Sequence, residues 1–199
     1  ETWAASGGSQ NVALSGSQAA MRLEATVRQA RYVFQWTPGS VDPNVAASTA
    51  PASAFFWRAD FWNAAGYAKT PADYTTPLAD AAVQVGELAL LEYSPADHKI
   101  YLYRAKDPAK MDGGQVVRAA GTAAWADLAN PATIATFKSY DFVQRQVISE
   151  GVTGLALNLV AARAGSRPIL EFTLDVSRGA GSTLVYGGAS LRTPSTRPL

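Results

Sequence analysis

The chain has 199 residues, 48% of them hydrophobic and 17% charged, which fits one globular domain able to bury a sizeable core. A net charge of +1 excludes a strong overall field toward nucleic acid or anionic lipid, and the sequence holds no run of Lys or Arg. The absence of cysteine excludes disulfides, thiolate metal sites and cysteine nucleophiles, and the single histidine, His98, is the only residue around which a Ser-His-Asp triad could form.

No window of about 18 apolar residues occurs, so no membrane-spanning segment is expected within the chain. Glu1-Thr2-Trp3 has neither the charged n-region nor the apolar h-region of a signal peptide. A start without Met suggests a processed or truncated N-terminus.

The first element is an amphipathic helix over Ser15–Trp36. Ala20, Leu23, Val27, Ala30 and Phe34 step by 3, 4, 3 and 4 residues and fall on one stripe, expected to face a sheet. Glu24 and Arg28 stand at i, i+4 in the favourable order. Ser15 or Ser17 can cap the start, Pro38 follows the end, and the stretch before Ser15 is expected to find little to pack on. Thr37–Pro51 is rich in Pro, Ser, Ala and Gly and reads as loop. Ala54–Trp62, "AFFWRADFW", suits a strand entering the core. Asn63–Leu78 returns to turn residues.

Gln84–Tyr93 and His98–Ala105 flank Ser-Pro-Ala-Asp and read as a hairpin. Lys106–Gly114 is loop. Trp125–Tyr140 reads as a short helix near 131–139, with Asn130 as cap and Pro131 at the first helical position. Arg145–Ala161 has strand character, with Gly151 and Gly154 marking a bend or bulge. Pro168–Val176 and Ser182–Arg192 alternate well and flank the Gly-rich "SRGAGS", a second long hairpin. Residues 193–199 are expected to fray. A helix followed by adjacent hairpins, with no βαβ alternation, favours an α+β fold with an antiparallel sheet.

No constellation of catalytic groups stands out. His98 sits at a turn, and its neighbour Asp97 would point to the other face of a strand. Glu87 and Glu92 are five apart and face opposite sides of a regular strand; Glu171 and Asp175 share a face, which solvent exposure explains. Asp107 and Asp112 lie in a Gly-rich loop that lacks the alternating ligands and terminal Glu of an EF-hand, leaving only a weak calcium site to consider. "SRGAGS" has no following helix and no Lys, so it is a hairpin tip and not a phosphate cradle. Phe55, Phe56, Trp57, Phe61, Trp62 and Tyr67 are core formers by default. The alternative is a secreted carbohydrate-binding module, with Trp57, Phe61, Trp62 and Tyr67 as its stacking platform or partner surface.

The order of segments carries a resemblance. "SGSQAAMRLEATVRQARYV", "FFWRAD", "VGELALLEYSPADHKIYLYRA", "NPATIATFKSYDFVQRQVISEGVTGLALNLV" and "PILEFTLDVSRGAGSTLVYGGASLR" resemble, in that order, the ectodomain of type IV pilin-like proteins. The likeness is greatest to the J-type minor pseudopilins of type II secretion and to related prepilin-type methylation-domain proteins. It implies a pilin-like α+β fold with a long N-terminal amphipathic helix packed on antiparallel sheet. It also implies a non-enzymatic subunit at or near the tip of a secretion or pilus filament, with other pilins or pseudopilins as partners, and secreted cargo as a further one. No nucleic acid and no cofactor are expected. The full-length form would be anchored in the bacterial inner membrane by an apolar helix ahead of this chain, and this domain would stand on the periplasmic face. Glu1 precedes Thr-Trp-Ala-Ala and is not equated with the assembly Glu of such proteins. The C-terminal "RTPSTRPL" lacks acidic ligands, so the calcium site of major pseudopilins is not carried over.

Overall fold

The computed structural model describes residues 2–42, 50–58, 83–106, 116–118, 131–160, 167–178 and 181–191. Helix α1 spans Thr2–Val27, and strands β1 (Ala30–Thr37), β2 (Gly39–Ser40) and β3 (Ser53–Arg58) follow it. Next come β4 (Val83–Gln84), a 3-10 turn at Val85–Glu87, and the hairpin β5 (Leu88–Ser94) and β6 (Lys99–Ala105). β7 (Val116–Arg118) and helix α2 (Pro131–Ser139) precede β8 (Val143–Glu150), β9 (Val152–Val160), β10 (Ile169–Arg178) and β11 (Gly181–Ser190).

The molecule is therefore mainly antiparallel β among the described residues. A five-stranded sheet runs β1-β3-β5-β6-β8 and a four-stranded sheet runs β11-β10-β9-β2, with β4 and β7 as a separate ribbon. This overturns the expected pilin-like α+β architecture, in which a long amphipathic helix over Ser15–Trp36 backs the sheet. The helix stops at Val27, and Ala30–Thr37 is strand. The physical reason lies in the residues. Tyr32, Val33, Phe34 and Trp36 are β-branched or aromatic and suit a pleated surface, which overrides a helical spacing that Ala30 and Phe34 happened to continue. The break follows directly: Arg28 N–H still donates to the Glu24 carbonyl at 2.9 Å, and Gln29 N–H closes on Thr26 at 3.2 Å.

Two apolar cores flank the five-stranded sheet. The main core joins Val12, Ala19, Ala20, Leu23 and Val27 of α1 to the inner residues of both sheets, among them Phe56, Leu91, Leu155 and Phe172. The second core lies on the opposite face, where Phe55, Trp57, Leu88 and Leu90 meet Phe137 of α2. β3 is buried on both sides, which explains why its sequence is an unbroken apolar run with no alternation. Phe34 points to this second core, its ring 5.8 Å from that of Phe55, so it is on the far side of the sheet from α1. Ala30 is buried in the main core, but from β1. Only Ala20, Leu23 and Val27 of the expected stripe are helical.

The stretch before Ser15 also departs from expectation, since Val12 is buried in the main core. Gly16 lets the helix run through: a Cβ there would stand 2.6 Å from Val185 Cγ2, so the missing side chain allows α1 to approach β11.

The run read as one bent strand over Arg145–Ala161 is two strands in two sheets. Gly151, with φ of 71°, makes the crossing. Its carbonyl accepts from Ser177 N–H at 2.9 Å, and the next N–H, of Val152, donates to His98 at 3.0 Å. A second crossing occurs at Pro38, between β1 and β2, where Leu157 N–H donates to the Pro38 carbonyl at 2.7 Å.

Candidate interaction surface

α1 has two apolar sides. At 3.6 residues per turn, Val12, Ala19, Leu23 and Val27 face the sheets, and Leu14 and Met21, two turns apart, face the opposite way. Leu14 is 59% exposed and Met21 62%. Around them the helix is wet: Glu24 and Arg28 form an exposed pair at 3.1 Å, and Ser15 hydroxyl donates to the Asn11 carbonyl at 2.9 Å. Sequence reading missed Leu14 and Met21, because it scored one stripe. The signal was present in their seven-residue spacing.

Among the described residues, the outer face of the four-stranded sheet is a second exposed apolar surface. Tyr186, 73% exposed, stands on β11 opposite Thr173, and Leu184 is opposite Asp175. Ile169 and Val160 pair across β10 and β9. Asn158 amide donates to Glu171 Oε2 at 2.9 Å, so this Glu serves the wet side of the sheet.

Of the stacking-platform residues only Trp57 is among the described ones, and it is not at the surface. Trp57 is 2% exposed. Its indole N–H donates to Glu87 Oε2 at 3.0 Å, and the Arg31 guanidinium lies 4.5 Å from its ring centroid. These contacts clamp it within the sheet, where a sugar ring has no access. Phe61, Trp62 and Tyr67 lie outside the described residues, as do Asp107 and Asp112. Among the described residues no group of three or more His, Asp or Glu side chains is placed to hold a metal.

His98 occupies the tip of the β5–β6 hairpin, exposed, with φ of 52°. Its neighbour Asp97 is engaged structurally: its Oδ2 accepts from Tyr101 hydroxyl and from Ser94 hydroxyl, both at 2.9 Å. Those two donors, Tyr101 first, hold the Asp97 carboxyl below the usual carboxylate range. Lys99 and Glu150 pair at 2.8 Å beside it, which draws the Glu150 carboxyl down as well. Glu92, whose spacing from Glu87 sets the two on opposite sides of a regular strand, receives Lys138 of α2 at 2.8 Å and ties that helix to the sheet. Burial, with Asp175 second, pushes the Tyr93 hydroxyl up.

No known protein family, curated protein or solved structure matches the chain. Among the described residues, no helix is long and apolar enough to cross a membrane.

Proposed function

We propose that this chain is a non-enzymatic structural subunit: a minor pilin or pseudopilin of a type II secretion or type IV pilus-like filament, contacting its sibling subunits at or near the tip. The observation that carries the reading is the outward pair Leu14 and Met21 on α1. A helix that already buries one stripe gains nothing from a second apolar stripe in water, whereas a neighbouring subunit's helix would cover it. The order of sequence segments adds support. In this reading an apolar helix ahead of the chain holds it at the periplasmic face of the inner membrane. Secreted cargo is a further partner.

The test uses the full-length protein in its own cells. Leu14→Glu combined with Met21→Lys should abolish cross-linking to sibling filament subunits. It should leave the stability of this domain within about 0.5 kcal/mol, because both sites are exposed. The coding sequence upstream of Glu1 should specify a basic leader and then about 20 apolar residues. Normal filament assembly by the double variant, or a gene without that leader, overturns the proposal.

A further inference from the structure

A groove runs along one flank of α1, from Ser15 to Gln29, formed by two adjoining cavities of about 400 and 460 Å³ that share Arg22. Its other wall is β8, together with Leu102 and Arg104 of β6, Arg58 at the end of β3, and the end of β10. Three features set it apart from the rest of the surface.

The first is charge. Arg22, Arg58 and Arg104 line one cavity, and Arg22 and Arg178 the other. The one carboxylate in the lining, Glu150, is already paired with Lys99. Arg104 and Arg178 are exposed and have no ion pair among the described residues. On a chain with net charge +1, this is a local concentration of positive charge.

The second is an open strand edge. Among the described residues β8 ends its sheet and pairs only with β6. Arg22 Nη1 donates to the Ile148 carbonyl at 3.0 Å, where β8 is bulged against β6. A side chain thus takes the place of a neighbouring strand at that residue. The rest of the edge, Val143–Val147, is mainly exposed and includes the apolar Val147.

The third is length. Twelve helical steps from Ser15 to Val27 span about 18 Å at 1.5 Å each, and the groove runs on to Gln29 just past the helix end. An extended peptide of about six residues covers the same distance at 3.3 Å each.

We propose that this groove binds an extended acidic peptide segment of a partner protein, laid along β8 with main-chain hydrogen bonds to its free edge and carboxylates on Arg22, Arg104 and Arg178. Strand addition supplies the register, and the arginines select acidic side chains because guanidinium and carboxylate match in a two-pronged geometry. The groove is separate from the Leu14–Met21 stripe and its occupant does not depend on the filament reading.

Fluorescence anisotropy of a labelled peptide alternating Glu with Val tests this, using the chain as it stands. Saturable binding is expected, weakening as salt rises. Replacing every Glu by Gln should weaken it by about tenfold or more, since charge complementarity supplies the selectivity. Proline at alternate positions, which removes the main-chain donors, should weaken it comparably. Arg104→Glu with Arg178→Glu should reduce affinity by about tenfold while the thermal transition stays close to that of the unaltered chain; Arg104→Gln with Arg178→Gln serves if charge reversal unfolds it. Arg22 is left intact because it holds Ile148. Absence of saturable binding, or binding indifferent to both arginine variants, overturns the proposal. If inorganic polyphosphate competes at equal charge and the proline peptide binds unchanged, the groove is a general anion surface and the peptide assignment fails.

Discussion

Gly151 holds a left-handed turn, φ 71°, at the point where the chain leaves one sheet for the other. A Cβ there would lie 3.1 Å from the Ser177 carbonyl, so space is tight but the backbone conformation is the larger obstacle. Gly151→Ala should cost about 1–3 kcal/mol, read as a fall in denaturant midpoint with unchanged slope. His98 presents the converse case. It adopts φ 52° with a full side chain at an exposed turn, so His98→Gly should be neutral or stabilising by up to about 1 kcal/mol. That variant also separates this reading from an enzymatic one, in which loss of the single histidine would remove the activity. Asp97 sets a pH effect. Its carboxyl is held low in the folded chain by Tyr101 and Ser94, so its stabilisation is complete above the ordinary carboxylate value of about 4. It is lost as pH falls through the lower folded value. Asp97→Asn should therefore lower the thermal midpoint near neutrality, with the gap to the unaltered chain closing as pH falls below about 4.

At the scale of elements, α1 offers the sharpest contrast between neighbours. Leu23 is fully buried and Leu23→Ala should cost about 2–5 kcal/mol by transfer and cavity together. Met21→Ala, two residues away on the wet side, should change stability by less than about 0.5 kcal/mol. Urea titrations of the two variants check the pair, and equal effects would mean that α1 is rotated from the orientation described. The helix also shows what the sequence could and could not reveal. Ala20, Leu23 and Val27 were readable as a buried stripe. The end of the helix was not, because Ala30 and Phe34 extend the same spacing while serving a strand, on opposite faces of its sheet. Local periodicity cannot separate a helix from a strand whose bulges shift the alternation, and β1 has such shifts after Ala30 and after Val33. The β5–β6 hairpin was legible because Ser-Pro-Ala-Asp separates two β-prone runs, and α2 because Asn130-Pro131 marks its start. The sheet partner of β8 was not legible, since pairing with β6 across an intervening helix leaves no local trace. The groove was hidden for the same reason: Arg22, Arg104 and Arg178 are far apart in sequence.

For the molecule as a whole, the decisive property is that both sheets share one core. Phe56 and Leu91 from one sheet, Leu155 and Phe172 from the other, and Leu23 from α1 belong to a single apolar cluster. The chain also crosses between the sheets at Pro38 and at Gly151, so neither sheet can separate without breaking hydrogen bonds at these crossings. Such an arrangement should unfold in one cooperative step. Two of the five tryptophans report on it from different described places: Trp36 packs beside the main core and Trp57 sits in the second core under α2. Tryptophan fluorescence and far-ultraviolet circular dichroism should therefore give coincident urea transitions. Phe137→Ala makes the test stringent, because Phe137 seals the second core from α2, its ring 5.5 Å from Phe55. The substitution should cost about 3–5 kcal/mol. If the two cores form one cooperative unit through β3, which is buried on both faces, the whole transition shifts to lower urea and the two signals remain superimposed. If the fluorescence change instead separates and precedes the loss of β signal, the second core melts alone, and β3 does not couple the faces of its sheet.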